Sequence, residues 1–539
     1  MTTRYITTPI YYVNDRPHIG HCYTTLLADV LARAGRLANP ASGTSALSTG
    51  GVFFLTGTDE HADKVVTSAA DHQVTPIQWA DRNAEEFKKA FAFMNTSHDD
   101  FIRTTQDRHI SKVREYIRAL QASGDIYLGD YVGWFDPSQE EYLTETTAKE
   151  HNYCSPVTGK PLVKKTEKNY FFKLSVYETR LREHIEGNKD FIKPEARRNE
   201  VLGRLRQGLQ DVPISRAVTD DPTSQWGIRM PDDAGHRIYV WIDALFNYLS
   251  VVDTPERKHL WPAQIHLIAK DILWFHAVIW PALLMALKRD LPRTVYAHSY
   301  WVREGRKMSK SLGNFVTLEV LQAYVAKYSL DAVRWYLVTQ GPLRETDADF
   351  SHAKFVETYN AELANGIGNC TSRVGNMIAK YFDGKMPVAA TSGPHAGYDF
   401  AALTAAAVKT SLDASHGGDA ATAVFQGIEL VRHVDGYINT TAPFKLAKLV
   451  ESDPSKKGEL ATILFNCAET LRIASLLLSP AMPTKIAELW TLWNCTPPTG
   501  TPLATLAAFA GPHALKPGSG ISKGDPLFMR ADVAEAPPA

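Results

Sequence analysis

No two cysteines in this sequence stand at the spacing of zinc ligands. The five present, Cys22, Cys154, Cys370, Cys467 and Cys495, are scattered singly, and an odd count argues against a disulfide framework. A reducing compartment is therefore expected. Neither sign of charge is in excess: 58 Lys and Arg face 59 Asp and Glu, a formal net charge of −1. Any nucleic acid must then be met by local basic patches and not by a global field. Long hydrophobic runs are also missing. The most apolar stretch, Trp274 to Leu287, contains Pro281 and falls short of the ~18 residues of a membrane span. Residues Met1 to Tyr5 lead directly into a strand, with no signal-peptide apolar region. No internal repeat is visible. These absences predict a soluble, cytoplasmic chain with no membrane partner, and 539 residues predict two to four domains.

What is present begins at Thr8. The stretch Thr8 to His21 (TPIYYVNDRPHIGH) starts apolar and β-prone, turns at Asn14-Asp15, and ends in His18-Ile19-Gly20-His21. A helical pattern follows, with Leu26, Leu27, Val30 and Leu31 on one face. This reads as strand, turn and helix N-terminus, with His18 and His21 on one side of the first turn. Gly20 lets another group approach the backbone closely. A helix N-terminus suits a phosphate, and two imidazoles there can donate to its oxygens. Two histidines that merely cap the helix are an equal alternative at this point.

Strand and helix patterns then alternate. The small-residue stretch Asn39–Gly51 reads as a loop. The strand Val52–Thr56 ends in Gly57-Thr58-Asp59-Glu60-His61, a polar cluster where parallel sheets bind ligands. Helical patterns cover Ile77–Met94 and Ile110–Ser123. From about Tyr127 to Met230, short aromatic strands such as Tyr131–Phe135 and Asn169–Lys173 mark an inserted module. The β/α pattern resumes at Ile238–Ile242, followed by a strand at Ile265–Ile268, a helix from Ile272 and a strand at Val295–Ser299. An exposed basic loop runs from Arg303 to Asn314. Beyond Leu318 the patterns are helical, notably Phe355–Phe382, Ala420–Asn439 and Glu459–Leu478, and the tail after Leu503 carries little independent structure. The expected fold class is an α/β Rossmann-type parallel sheet with an inserted α+β module, followed by an all-α bundle. The expected boundaries are 1–126 and 233–317 for the two halves of the sheet domain, 127–232 for the insertion, 318–352 for a linker, 353–505 for the bundle and 506–539 for the tail.

Lys307-Met308-Ser309-Lys310-Ser311 lies between Gly305 and Gly313. Lysines in a Gly-bordered loop can close over a polyphosphate and neutralise developing charge, with serines adding donors. A solvated basic loop or a site for nucleic-acid phosphates is the alternative. The pair His-Ile-Gly-His and Lys-Met-Ser-Lys-Ser, in that order, resembles the HIGH and KMSKS signatures of class I aminoacyl-tRNA synthetases. Further runs resemble the methionine–tRNA ligase family in order: Thr8–Asn14, Leu55–His61, Ile214–Arg216 with Trp226–Ile228, Tyr239–Leu245 and Lys270–His276. The resemblance extends from residue 4 to about 530.

The resemblance implies ATP-dependent activation of L-methionine to an adenylate, then transfer to the 3′ end of tRNA(Met). His18, His21, Lys307 and Lys310 are the implied catalytic residues. ATP would be held by His18, Gly20, His21, Asp271, Lys307, Ser309 and Lys310, and would enter with Mg2+ as a substrate complex. Asp59 would bind the α-ammonium, with Arg216 supporting it. Ile10, Tyr12, Trp241, Ala244, Leu245, Tyr248, Ile272, His276 and Trp280 would form the side-chain pocket. Aromatic and aliphatic walls suit a thioether, and Tyr12 or His276 can offer its sulfur a weak hydrogen bond. The 353–505 bundle would bind the anticodon through Asn369, Arg373 and Phe444; core packing of Phe444 and backbone capping by Asn369 are the alternatives.

Several departures from the family pattern matter. Only Cys154 lies in the inserted module, so no structural zinc is expected. Ala62 and Ala269 stand where glycine is usual. Phe444 replaces the common tryptophan after Pro443. No appended C-terminal β-barrel domain is visible, so a monomer is expected. Other functions are disfavoured. A leucine or valine enzyme would carry a large editing insertion, and a cysteine enzyme paired zinc cysteines. A small-molecule nucleotidyltransferase can share His-x-Gly-His but has no use for the bundle. A tRNA-binding paralogue without catalysis would not retain Asp59, both histidines and both loop lysines.

Overall fold

Short apolar runs form a six-stranded sheet in which every neighbouring pair is parallel. The strands are β1 (Arg4–Tyr12), β2 (Val52–Asp59), β3 (Asp100–Arg103), β4 (Ile192–Lys193), β5 (Ile265–Ala269) and β6 (Val295–His298). Their order is β3-β2-β1-β5-β6-β4. The computed structural model describes residues 4–40, 51–138, 141–143, 145–303, 305–308 and 314–534. The chain proceeds to one side of β1 first and to the other side later, so the strand order reverses beside β1. In such sheets the crevice for ligands opens at the carboxyl ends flanking that reversal.

The helices used below are α1 (Ile19–Ala38), α2 (Pro76–Phe93), α3 (Asp107–Ala122), α4 (Val240–Leu245), α5 (Leu330–Gln340), α6 (Asn369–Tyr381), α7 (Ala420–Thr441), α8 (Pro443–Ser452) and α9 (Lys457–Leu478). The insertion is built on an antiparallel hairpin pairing Ile126 with Phe172 and Phe135 with Val163. It is not wholly separate: β4, inside residues 127–232, returns to the central sheet and pairs Val295 with Ile192. Two residues are too few to carry a pattern of their own. The run Ile238–Ile242 is strand only to Ile238 and helix from Val240.

The bundle centres on α9, buried at every position from Leu460 to Leu478. A helix apolar all round belongs in a core, and this one is long and apolar enough by composition to cross a membrane, yet all but its first turn lies inside the protein. It also outranks the Trp274–Leu287 run that composition alone singles out. Among the described residues, the tail beyond Leu503 has no sheet or long helix of its own but is docked. Leu515 N donates to Glu469 Oε2 at 2.9 Å, and Asn360 exchanges bonds of 2.8 and 2.9 Å with Ala531.

Arg334 of α5 fastens the two halves of the molecule. It is fully buried and donates to Asp29 of α1 (2.7 Å), to Met94 O after α2 (2.7 Å) and to Pro480 O and Ala481 O after α9 (2.9 Å each). Asp29 also accepts from Arg33 and from Ser97 N and Oγ. The bundle thus hangs on the same helix that carries His18 and His21 at its start.

Candidate active site

The strand β1 slips register between Thr7 and Ile10, with Thr7 opposite Leu55 and Ile10 opposite Gly57. Pro9 lies in that interval and has no N–H for the ladder. The extra residue bends the strand and directs Ile10 and Tyr12 into the crevice. Gly57 is required opposite: a Cβ there would sit 2.0 Å from Ile102 O.

His18 and His21 do cap α1. His18 Nδ1 accepts from Gly20 N at 3.1 Å, and His18 N donates to His21 Nδ1 at 3.2 Å. A Cβ on Gly20 would lie 2.9 Å from the His18 ring, so the group that approaches Gly20 closely is His18 itself. Capping and a phosphate role are compatible. With both Nδ1 atoms accepting, each neutral ring carries its proton on Nε2. The His21 ring is enclosed edge-on by Tyr11 and Phe87 at 5.0 and 5.1 Å. Burial, and then the neighbouring His18, hold its pKa well below the ordinary histidine value, so it is neutral near pH 7.

The segment after the basic loop docks on this helix start. Ile19 N donates to Val316 O at 3.1 Å, His18 bridges Thr317, and Phe315 lies 4.9 Å from the His18 ring. Before the loop, Trp301–Arg303 pairs with Arg306–Lys307 as a hairpin. The described residues on both sides of the loop are thus held by backbone pairing, those after it beside His18. Ser309 and Lys310 lie outside the described residues.

These elements enclose a cleft of about 930 Å³. Its lining includes Ile10, Tyr12, His18, Gly20, His21, Asp59, Trp241, Ala244, Leu245, Tyr248, Asp271, Ile272 and His276. Residues scattered from position 10 to 276 thus converge on one space. Asp59 ends β2 opposite Tyr12 and is 3 % exposed. Trp241 stacks on Phe275 at 4.0 Å and meets Tyr12 edge-on at 6.0 Å. Arg216 and Trp280 stand outside this lining. Arg216 lies 4.0 Å over the Tyr239 ring and donates to Ser215 O at 2.8 Å. Trp280 is a layer behind, 6.0 Å from Tyr248, donating to His266 Nε2 at 3.2 Å.

His276 projects from a π-helical turn, Phe275–Ile279. Pro281 has no N–H for the carbonyl four residues back, and just before it the helix widens, with Trp280 N bonding Phe275 O. His276 Nδ1 donates to Ile272 O at 2.9 Å, which leaves Nε2 to accept from the Tyr248 hydroxyl at 2.8 Å. Burial pushes its pKa down to about 4. Both ring nitrogens are thus engaged within the protein, and of the two groups expected to meet a thioether sulfur, His276 has no N–H to give.

Asp271, also in the cleft lining, hydrogen-bonds the Tyr300 hydroxyl. Asp347 anchors this corner, accepting from Lys270 Nζ at 2.6 Å and Tyr300 N at 2.8 Å. Neither Tyr300 nor Asp347 is signalled by a short sequence pattern. Ala62 and Ala269 have φ of −69° and −84°, ordinary extended backbone, so no glycine is needed at either position.

In the bundle, Arg373 donates to Asp435 Oδ1 at 2.6 Å, and Asn439 to its other oxygen at 3.3 Å. Asn369 is exposed and stands where the π-helical segment Tyr359–Gly368 runs on into α6, its backbone N–H bonding Ala364 O and Gly366 O. Phe444 is 45 % exposed, so it is not a core residue. It begins α8 after Ala442, whose φ of 42° places it in the left-handed region and turns the chain sharply after α7.

Comparison with known proteins places this geometry in context. The family model described as "tRNA synthetases class I (M)" matches residues 4–155 and 147–375. A methionine–tRNA ligase of Streptomyces coelicolor is 39 % identical, covering 98 % of this chain and 96 % of its own length. That of Bacillus subtilis is 36 % identical, covering 99 % of this chain and 78 % of the relative. A solved structure of Mycobacterium tuberculosis methionyl-tRNA synthetase bound by methionyl-adenylate superimposes with a TM-score of 0.84 at 33 % identity, covering 98 % of this chain and 100 % of that one.

Proposed function

The chain belongs to the methionine-type class I tRNA synthetases, and from that premise we propose how its residues divide the reaction. The enzyme activates L-methionine with ATP to methionyl-adenylate and transfers it to the 3′ end of tRNA(Met). In the first step a methionine carboxylate oxygen attacks the α-phosphorus and pyrophosphate leaves. In the second a terminal ribose hydroxyl of tRNA attacks the activated carbonyl and AMP leaves. The observation that carries the assignment of residues is the single cleft in which Asp59, the aromatic wall of α4 and the His18–His21 pair converge.

Asp59 is the acceptor and counter-charge for the α-ammonium. Ile10, Tyr12, Trp241, Ala244, Leu245, Tyr248, Ile272 and His276 surround the side chain, with Trp280 supporting Tyr248 from behind. Tyr12 is the side chain that offers the sulfur a hydrogen bond. His276 and Tyr248 hold one another in place. The Nε2–H groups of His18 and His21 meet phosphate oxygens at the start of α1, where the helix dipole also favours negative charge. Gly20 leaves room for the His18 ring beside the phosphates, and Asp271, held by Tyr300, takes the ribose. Lys307, Ser309 and Lys310 neutralise charge that grows on the departing pyrophosphate. Arg216 supports Asp59 from behind Tyr239. Mg2+ enters with ATP as part of the substrate, and no structural zinc is proposed. The protein acts as a cytoplasmic monomer.

Asn369, Arg373 and Phe444 form the anticodon surface. An exposed ring at a helix start is a platform on which a splayed base stacks, worth ~1–3 kcal/mol per base. Phe444→Ala should therefore raise KM for tRNA about 5- to 100-fold in charging, with methionine-dependent pyrophosphate exchange unchanged. Unaltered charging would remove Phe444 from the anticodon surface. Methionine-dependent exchange by the intact protein, followed by charging of tRNA(Met), tests the reading as a whole.

A further inference from the structure

A buried bridge joins the two ends of the amino-acid subsite. His61 follows Asp59 by two residues, and Asp243 immediately precedes Ala244 on α4. His61 Nδ1 lies 2.6 Å from Asp243 Oδ2, and His109 Nε2 of α3 lies 2.7 Å from Asp243 Oδ1. Exposure is 1 % at Asp243, 0 % at His109 and 6 % at His61. A carboxylate only accepts, so each imidazole gives it an N–H. Burial opposes the charge on Asp243, but the two histidines hold its pKa below the usual carboxylate range.

The bridge is itself held on both flanks. His109 Nδ1 lies 3.0 Å from Ser250 Oγ, which bonds Asn247 O at 3.2 Å. The His61 ring packs edge-on against Trp226 at 5.5 Å, and Trp226 Nε1 donates to Glu60 O at 2.6 Å. His61, His109 and Asp243 are outside the cleft lining, so they act only through what they hold. They hold the end of β2, which carries Asp59, against α4, which carries Trp241, Ala244 and Leu245. A buried ionic contact is a poor way to gain stability but an effective way to fix a geometry.

We propose that Asp243, gripped by His61 and His109, is a positioning residue that sets the span between the ammonium-binding carboxylate and the thioether wall, and so selects the length of the amino-acid side chain. This rests on the assignment of Asp59 and the α4 wall to methionine made above. With the span fixed, a homologue one methylene longer seats its ammonium and its terminal methyl together less well than methionine does. With the span released, that difference shrinks.

The test uses the full-length enzyme in pyrophosphate exchange with methionine and with its S-ethyl homologue. His61→Leu removes only the donor on the β2 side. It should raise KM for methionine about tenfold and lower the preference for methionine over the homologue at least about fivefold, against the ~10- to 200-fold that one methylene commonly confers. kcat and KM for ATP should stay within about threefold, because neither the phosphates nor the ribose is touched. His61→Asn places an amide N–H near the position of Nδ1 and should restore KM and preference to within about threefold. Asp243→Asn keeps the shape but offers one acceptor where two N–H groups converge. It should show the same loss of preference, and it carries the test if His61→Leu does not fold. Equal behaviour of the two His61 variants, an unchanged preference, or a loss confined to kcat would overturn the proposal. If the unaltered enzyme fails to exchange methionine, it is the functional reading that fails.

Discussion

Asp59→Asn should lower kcat/KM for methionine in pyrophosphate exchange by about 10²- to 10³-fold, with KM for ATP changed less than about threefold. The substitution keeps size and shape and removes only charge. Asp59 is 3 % exposed at the carboxyl end of β2, in a cleft whose lining also includes the side chains of Ile10, Tyr12, Trp241 and Leu245. An ammonium entering such a space leaves most of its water behind, so it depends on a counter-charge within contact distance. Leaving one partner of a desolvated pair uncompensated costs about 2–5 kcal/mol, the source of the predicted range. The loss should be selective because the phosphate end of the cleft, at His18 and His21, is built from α1 and not from β2. A loss below about tenfold, or an equal rise in KM for ATP, would remove Asp59 from the ammonium site.

The second large effect is expected at His21, where the cap and the donor can be separated. His21→Asn keeps an acceptor near Nδ1 for the His18 N–H bond of 3.2 Å but removes the Nε2 donor. It should lower kcat for adenylate formation by about 10²- to 10³-fold with little change in methionine KM, the loss typical of one preorganised donor to developing negative charge. His21→Gln, which returns an N–H near Nε2, should recover part of it. The pH dependence follows from the direction of the shift. Burial and His18 hold the His21 pKa well below its ordinary value, so the ring is neutral and its N–H is present throughout pH 6–8. kcat should therefore show no inflection near pH 6.5 that disappears in His21→Asn. Such an inflection would mean that His21 acts as a charged group.

Much of the cleft is legible in the sequence because its residues sit in short contiguous runs. Thr8–His21 contributes a strand end and a helix start, and Lys270–His276 the turns that follow a strand end; within each, local propensity and spacing agree with the fold. The parallel sheet is legible for the same reason, since buried strands such as Val52–Phe54 read as continuous apolar runs. Other features depend on long-range contact and leave no local trace. The strand Ile192–Lys193 exists only because Val295 and Tyr296 lie beside it. Ile238–Ile242 reads as the resumption of the β/α pattern, yet the strand ends at Ile238 and the chain turns helical after Tyr239, whose N–H is taken by Ile214 O. The Asp243 bridge spans 182 residues to His61 and 134 to His109, a juxtaposition that no motif length covers. The tail is similar: its small, Pro- and Gly-rich composition reads as unstructured, and its order comes from Glu469, Asn360 and Gly384 on the surface it crosses.

The tie between Arg334 and Asp29 places the bundle in fixed relation to α1, and so to His18 and His21. The neutral histidines, the engaged His276 and the anchored Asp271 give the cleft a common character: each polar side chain has its tautomer or orientation set by the protein before substrates enter.

Methionine activation in this cleft admits a direct test. The most direct measurement is ATP–pyrophosphate exchange by the purified full-length protein, with each of the twenty amino acids supplied singly. Exchange should depend on methionine, with leucine, valine and cysteine at least about 10²-fold weaker in kcat/KM, given a pocket shaped for an unbranched thioether. Exchange supported by leucine, valine or cysteine and not by methionine would contradict the account.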